Sequence, residues 1–134
     1  MERTLKTAAP GPEYRPGVCN IGPAEIAARR RTGHVGLAAT TGLLALLLAM
    51  EVDAAWRLLT FFPAVGMAAG YLQAAFRFCA GFGWLGVFNF GVRLRDTTSV
   101  QDAEARAADR RKALLISALS GGIAALVALV ALLI

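Results

Sequence analysis

Three long stretches of this chain carry no charge, and their lengths leave few architectures open. Thr32 to Met50 is an uncharged run of 19 residues with His34 neutral, Leu58 to Phe76 is a second of 19, and Ala113 to Ile134 is a third of 22. At 1.5 Å rise per residue, about 20 apolar helical residues cross the roughly 30 Å hydrocarbon core of a bilayer. A soluble domain of 134 residues cannot bury three helices that are apolar on every face. The expected fold is therefore an all-α membrane protein, a bundle of three transmembrane helices. The apolar fraction of 57% agrees, since soluble domains lie near 45–50%, a rough survey range.

A fourth run, Phe78 to Val92, has 15 uncharged residues and is short for a span. Gly81, Gly83, Gly86 and Gly91 weaken it as a helix, and Phe82, Trp84, Phe88 and Phe90 suit the membrane–water interface. It reads as an interfacial or re-entrant segment. Charge counting favours that choice. Of fourteen Lys and Arg, six precede the first span and seven follow the second, leaving Arg57 alone in the connection between them. Three spans gather thirteen of these on one face, as the positive-inside rule favours; a span at 78–92 would send six of them outside. The N-terminus and the charged loop are thus expected in the cytoplasm, with the C-terminus on the opposite face. The Ala, Arg and Leu bias points to a bacterial chain, and so to a multi-pass protein of the bacterial cytoplasmic (inner) membrane. The first apolar block follows about thirty polar residues, unlike a cleavable signal peptide.

Residues 1–22, rich in Pro and Gly, read as a flexible cytoplasmic tail, and 23–134 as a single membrane domain. Gly22 as N-cap, Pro23 in the first turn and Glu25 near the positive end of the helix dipole predict a juxtamembrane surface helix over 23–32. The first span is then expected over about 33–51. The second runs over about 55–77, with Trp56 as anchor and a kink at Pro63, and 78–92 is interfacial. A cytoplasmic helix over 99–112 continues without a break into a third span at 113–134. Thr98 with Gln101, or Ser99 with Asp102, offers a capping box. The pairs Asp102–Arg106, Arg106–Asp109 and Asp109–Lys112 suggest a solvated, self-supporting face.

Gly66, Gly70, Gln73 and Arg77 fall on one face of the second span, and Gly66 with Gly70 makes a GxxxG motif, which lets helices approach closely. Matching small residues occur at Gly36 and Thr40, and at Ser117, Gly121 and Ala125. Gly66, Gly70 and Gly121 are therefore candidate packing residues. Gln73 and Arg77, with Cys19, Cys79 and Asn89, form a candidate polar or thiol site at the cytoplasmic mouth. Cys19 and Cys79 with His34 could hold a soft metal, although no CxxC or CxxxH spacing is present. Ile21 and Ile26 are unexpected in a free tail and suggest that residues 19–26 fold back over the mouth near Cys79 and Asn89. Gly81-Phe82-Gly83-Trp84-Leu85-Gly86 fits GxGxxG by letter, but no strand precedes it and its variable positions are bulky and apolar.

No catalytic constellation accompanies these features, and no cofactor is specified. Basic charge without a reading module argues against nucleic acid. The expected partners are the lipid bilayer and another membrane protein, or a second copy of the chain. Three functions follow in order: association as an accessory subunit or homo-oligomer, a thiol site for soft-metal binding or redox sensing, and a transporter or channel component.

Overall fold

The computed structural model describes residues 14–134; the first thirteen residues of the expected tail lie outside that range. Helix α1 spans Pro23–Ala49. A 3-10 turn over Ala54–Thr60 runs directly into α2, Phe61–Phe76. A short α3, Ala80–Leu85, is followed by a two-residue strand β1, Val87–Phe88, which pairs antiparallel with β2, Thr98–Ser99. Helix α4, Ala103–Leu133, completes the chain. Three stretches are long and apolar enough to cross a membrane: Pro23–Ala49, Ala54–Phe76 and Ala103–Leu133. The start of α1, the end of α2 and the start of α4 meet at one end, and residues 14–22 and 77–102 build a cap there.

Helix α1 begins as the sequence implies, with extended Gly22 as N-cap, Pro23 in the first turn and Glu25 close behind. It does not break near residue 32. The surface helix and the first span are one continuous helix, because Gly33 and Gly36 serve as its contact face with α2 and not as a joint. A Cβ on Gly36 would lie 2.6 Å from the Met67 Cα, and one on Gly70 would lie 2.7 Å from the Arg29 carbonyl oxygen. The two backbones therefore touch, which in lipid is how dispersion forces hold helices together. Thr40, buried on the same α1 face, returns its hydroxyl to the Gly36 carbonyl at 2.7 Å.

Pro63 is the third residue of α2, close behind the 3-10 segment. It lacks an N–H to give the Leu59 carbonyl and its ring crowds that oxygen. The distortion is taken up just before it, where the chain winds as 3-10 and the Phe61 N–H reaches Leu58.

Helix α2 lies between α1 and α4. Ala64 and Ala68 are buried along it, while α4 buries Ala113, Ile116, Ser120, Ala124, Ala128 and Ala131. The α4 stripe expected from sequence, Ser117–Gly121–Ala125, is rotated away from this contact. A Cβ on Gly121 or Gly122 would meet no atom within 4 Å. The physical reason is that α4 is one rigid helix whose rotation is set at its cap end, where Asp109 is fully buried. Residues 113, 116, 120 and 124 then follow on the same face.

The start of α4 also differs. Asp102 is the N-cap and accepts from the Ala105 N–H at 2.9 Å. Thr98 and Ser99 are drawn into β2 and cap nothing. The expected ladder of surface ion pairs does not form: Arg106 donates to the Val100 carbonyl at 2.7 Å, and the Lys112 ammonium lies 4.4 Å from the centre of the Phe76 ring. Residues 78–92 make no fourth span. Phe78 packs with Ala113 and Ile116, whereas Trp84 and Leu85 remain exposed.

Candidate functional site at the cap

The cap is assembled from six polar side chains, Tyr14, Asn20, Glu25, Arg29, Asn89 and Asp109, which join segments far apart in sequence. Residues 15–18 form a β-turn closed by the Val18 N–H on the Arg15 carbonyl at 3.0 Å, with Pro16 and Gly17 at its centre. Gly17 takes φ +70° and a Cβ there would sit 3.3 Å from that of Ala108, so glycine meets both demands. The turn delivers the Gly17 N–H to Asp109 Oδ1 at 2.7 Å, while the Tyr14 hydroxyl donates to Oδ2 at 2.6 Å. The Tyr14 ring stacks on Phe88 with centroids 4.7 Å apart.

Burial, followed by the hydrogen bond to Asp109 and that residue's charge, pushes the Tyr14 phenol well above its ordinary value of 10.0. The folded state therefore holds this proton more tightly than the unfolded chain. Its contribution to stability is intact below about pH 10 and is lost as pH rises toward the folded value. Docking of residues 14–22, followed by limited proteolysis, should weaken above about pH 10 in the native chain. In Tyr14→Phe the alkaline step should vanish.

Asn20 is fully buried and acts like a short piece of strand edge. Its N–H donates to the Arg77 carbonyl at 3.1 Å, its Nδ2 to the Cys79 carbonyl at 3.1 Å, and its Oδ1 accepts the Cys79 N–H at 2.7 Å. Its own carbonyl accepts the Asn89 N–H at 2.9 Å, and Gly22 returns a bond to the Asn89 carbonyl at 2.9 Å. Ile21, between them, packs with Cys79 and Phe82. Residues 19–22 thus dock over residues 77–89.

Asn89 Nδ2 donates to Glu25 Oε2 at 2.9 Å and to the Arg93 carbonyl at 2.8 Å, and its Oδ1 accepts the Gly91 N–H at 2.9 Å. Glu25, 1% exposed, also accepts the Arg95 N–H and pairs with Arg29 at 3.3 Å. Arg29 completes the cluster by donating to Cys79 Sγ at 3.0 Å and lying 5.6 Å from the Phe82 ring centre. A buried carboxylate persists because a guanidinium and two further donors compensate it.

The residues singled out from the sequence separate into groups. Cys19, Cys79 and Asn89 lie buried in the cap, and no disulfide joins the two cysteines. Gln73 is structural: its Nε2 donates to the Ala69 carbonyl at 3.0 Å and its Oε1 accepts the Ala80 N–H at 2.8 Å, fastening α2 to α3. Arg77 is the C-cap of α2 with φ +56°, a position usually given to glycine, and its side chain is exposed. His34 is exposed and bonds the Tyr71 hydroxyl at 2.7 Å, away from the thiols. Among the described residues no three His, Cys, Asp or Glu side chains gather as a metal would need, so Cys19, Cys79 and His34 do not form a three-ligand set. Gly70 is in backbone contact with α1, whereas a Cβ on Gly66 would meet open space.

Asp109 was not evident from the sequence, where it looked like one partner in a surface charge ladder. The available signal was its place four residues before Ala113, in line with the small stripe that α4 buries. Glu25 was legible as a helix-start residue but not as the hub beneath Asn89 and Arg95. Chemically this network is suited to holding segments together, because most of its polar atoms are spent on one another; Glu25 Oε1 accepts no hydrogen bond and has only the ion pair with Arg29. No protein-family model matches the chain, and neither a curated protein nor a solved structure shows significant similarity to it.

Proposed function

We propose that this protein works by association within the membrane, as a non-enzymatic accessory subunit or a homo-oligomer of the bacterial inner membrane, with its cap on the cytoplasmic side. The orientation rests on charge: every described Lys and Arg except Arg57 belongs to the cap end of the molecule. The observation that carries the association reading is the unused small-residue face of α4. Ser117, Gly121, Gly122 and Ala125 lie outside the α2 contact, and no atom stands within 4 Å of where a Cβ on either glycine would be. A surface of this kind admits a second helix at close range and gains little from lipid alone.

Gly121→Leu with Gly122→Leu tests this directly. An added Cβ at either position meets none of the described atoms within 4 Å, and replacing glycine in a helix favours the helix by about 1 kcal/mol per residue. The single-chain fold should therefore keep its thermal stability. Self-association, or retention of a co-purifying membrane subunit, should fall by roughly tenfold or more. Sedimentation in detergent and crosslinking in membranes read the two outcomes. A native chain that is strictly monomeric and carries no partner sinks the reading.

A further inference from the structure

Between the start of α1 and the end of α2 a crevice of about 550 Å³ opens, lined by Pro23, Ile26, Arg30, Ala74, Ala75 and Arg77. Its floor is apolar, from Ile26, Ala74 and Ala75, and its charged walls are two guanidiniums. Among the described residues neither Arg30 nor Arg77 has a side-chain hydrogen bond or ion pair. Among the described residues no carboxylate lines the crevice, and the nearby Glu25 is already committed to Asn89, Arg95 and Arg29. Glu25 therefore leaves the crevice charge uncompensated. The position is equally specific. Arg77 terminates α2 and Arg30 lies two residues before the uncharged run of α1 begins at Thr32, so both sit where apolar helix gives way to cap.

We infer that this crevice is a binding site for one anionic phospholipid of the leaflet on the cap side. Its phosphodiester would lie between the Arg30 and Arg77 guanidiniums, with the glycerol and upper acyl chain against Ile26, Ala74 and Ala75. Guanidinium forks match phosphate oxygens geometrically, and an apolar floor beside them suits an amphiphile better than a free anion. The volume falls within the roughly 300–1,000 Å³ usual for small-molecule sites. This inference is independent of the association reading, since α4 contributes nothing to the crevice.

The test uses the full chain extracted from bilayers mixing phosphatidylglycerol with phosphatidylcholine, and counts retained lipid by native mass spectrometry. The native chain should hold about one phosphatidylglycerol and prefer it roughly tenfold over phosphatidylcholine. Arg30→Gln with Arg77→Gln should lose that preference while keeping its melting temperature, because neither side chain bonds to any of the described residues. Arg110→Gln with Arg111→Gln removes the same charge from the exposed surface of α4 and should retain it. Equal preference in all three proteins would overturn the site, as would loss in both double variants alike. Millimolar inorganic phosphate should not displace the lipid; displacement would assign the crevice to a soluble phosphate and overturn the lipid as its occupant.

Discussion

Gly70→Leu should separate the first two spans and produce a large loss of stability. The added Cβ would fall 2.8 Å from the Gly33 Cα and 2.7 Å from the Arg29 carbonyl oxygen, and both are backbone. A side chain in that position could rotate aside, but a helix backbone must translate as a whole. Overpacking a well-filled site costs about 1–3 kcal/mol and more where the neighbour cannot yield, so a loss of about 3 kcal/mol or above is expected. Gly66→Leu supplies the matched control one turn earlier on the same helix. A Cβ there meets none of the described atoms within 4 Å, so its cost should be clearly smaller. Thermal unfolding in detergent distinguishes the two, and equal melting temperatures would falsify the contact between α1 and α2 as described.

Glu25→Ala should release the cap while leaving the three apolar helices formed. The substitution removes the acceptor of the Arg95 N–H, one of the two acceptors of the Asn89 amide and the carboxylate paired with Arg29. Removing one partner of a buried ion pair costs up to about 3–5 kcal/mol, and the lower end is expected because the Arg29 guanidinium is 18% exposed and keeps its bond to Cys79 Sγ. Glu25→Gln retains an acceptor oxygen and loses the charge, so its cost should be smaller, about 1–3 kcal/mol. Hydrogen exchange should accelerate across 14–22 and 77–95 in the alanine variant, with the interior of α2 unaffected. Uniform acceleration through α2 as well would show that the cap and the spans unfold as one unit.

The three membrane helices were legible because charge exclusion is a composition signal and needs no knowledge of contacts. Small-residue faces were harder, because an Ala-, Gly- and Ser-rich helix offers several stripes and the sequence does not rank them. On α4 the choice between Ser117–Gly121–Ala125 and Ser120–Ala124–Ala128 is made more than a turn away, at buried Asp109. On α2 one glycine of the GxxxG pair meets α1 through its missing Cβ and the other does not, a difference of helix rotation that spacing cannot express. Docking of residues 19–26 was suggested by Ile21 and Ile26 in a polar stretch. Its bonding partners were not, since Asn20 meets Cys79 across 59 positions and Tyr14 meets Asp109 across 95.

Those long separations bear on the order in which the protein is made. Tyr14 and Gly17 leave the ribosome early, yet their acceptor on Asp109 is synthesised only after both of the first two spans. The cap can therefore close only late, and only on a chain whose first two spans have crossed in opposite directions. If either span failed to cross, Asn20 and Cys79 would lie on different sides of the membrane, with the bonds between them impossible. The buried polar network is in this sense a record of correct insertion: a chain threaded wrongly keeps its N-terminal segment undocked, open to proteases that survey the membrane surface.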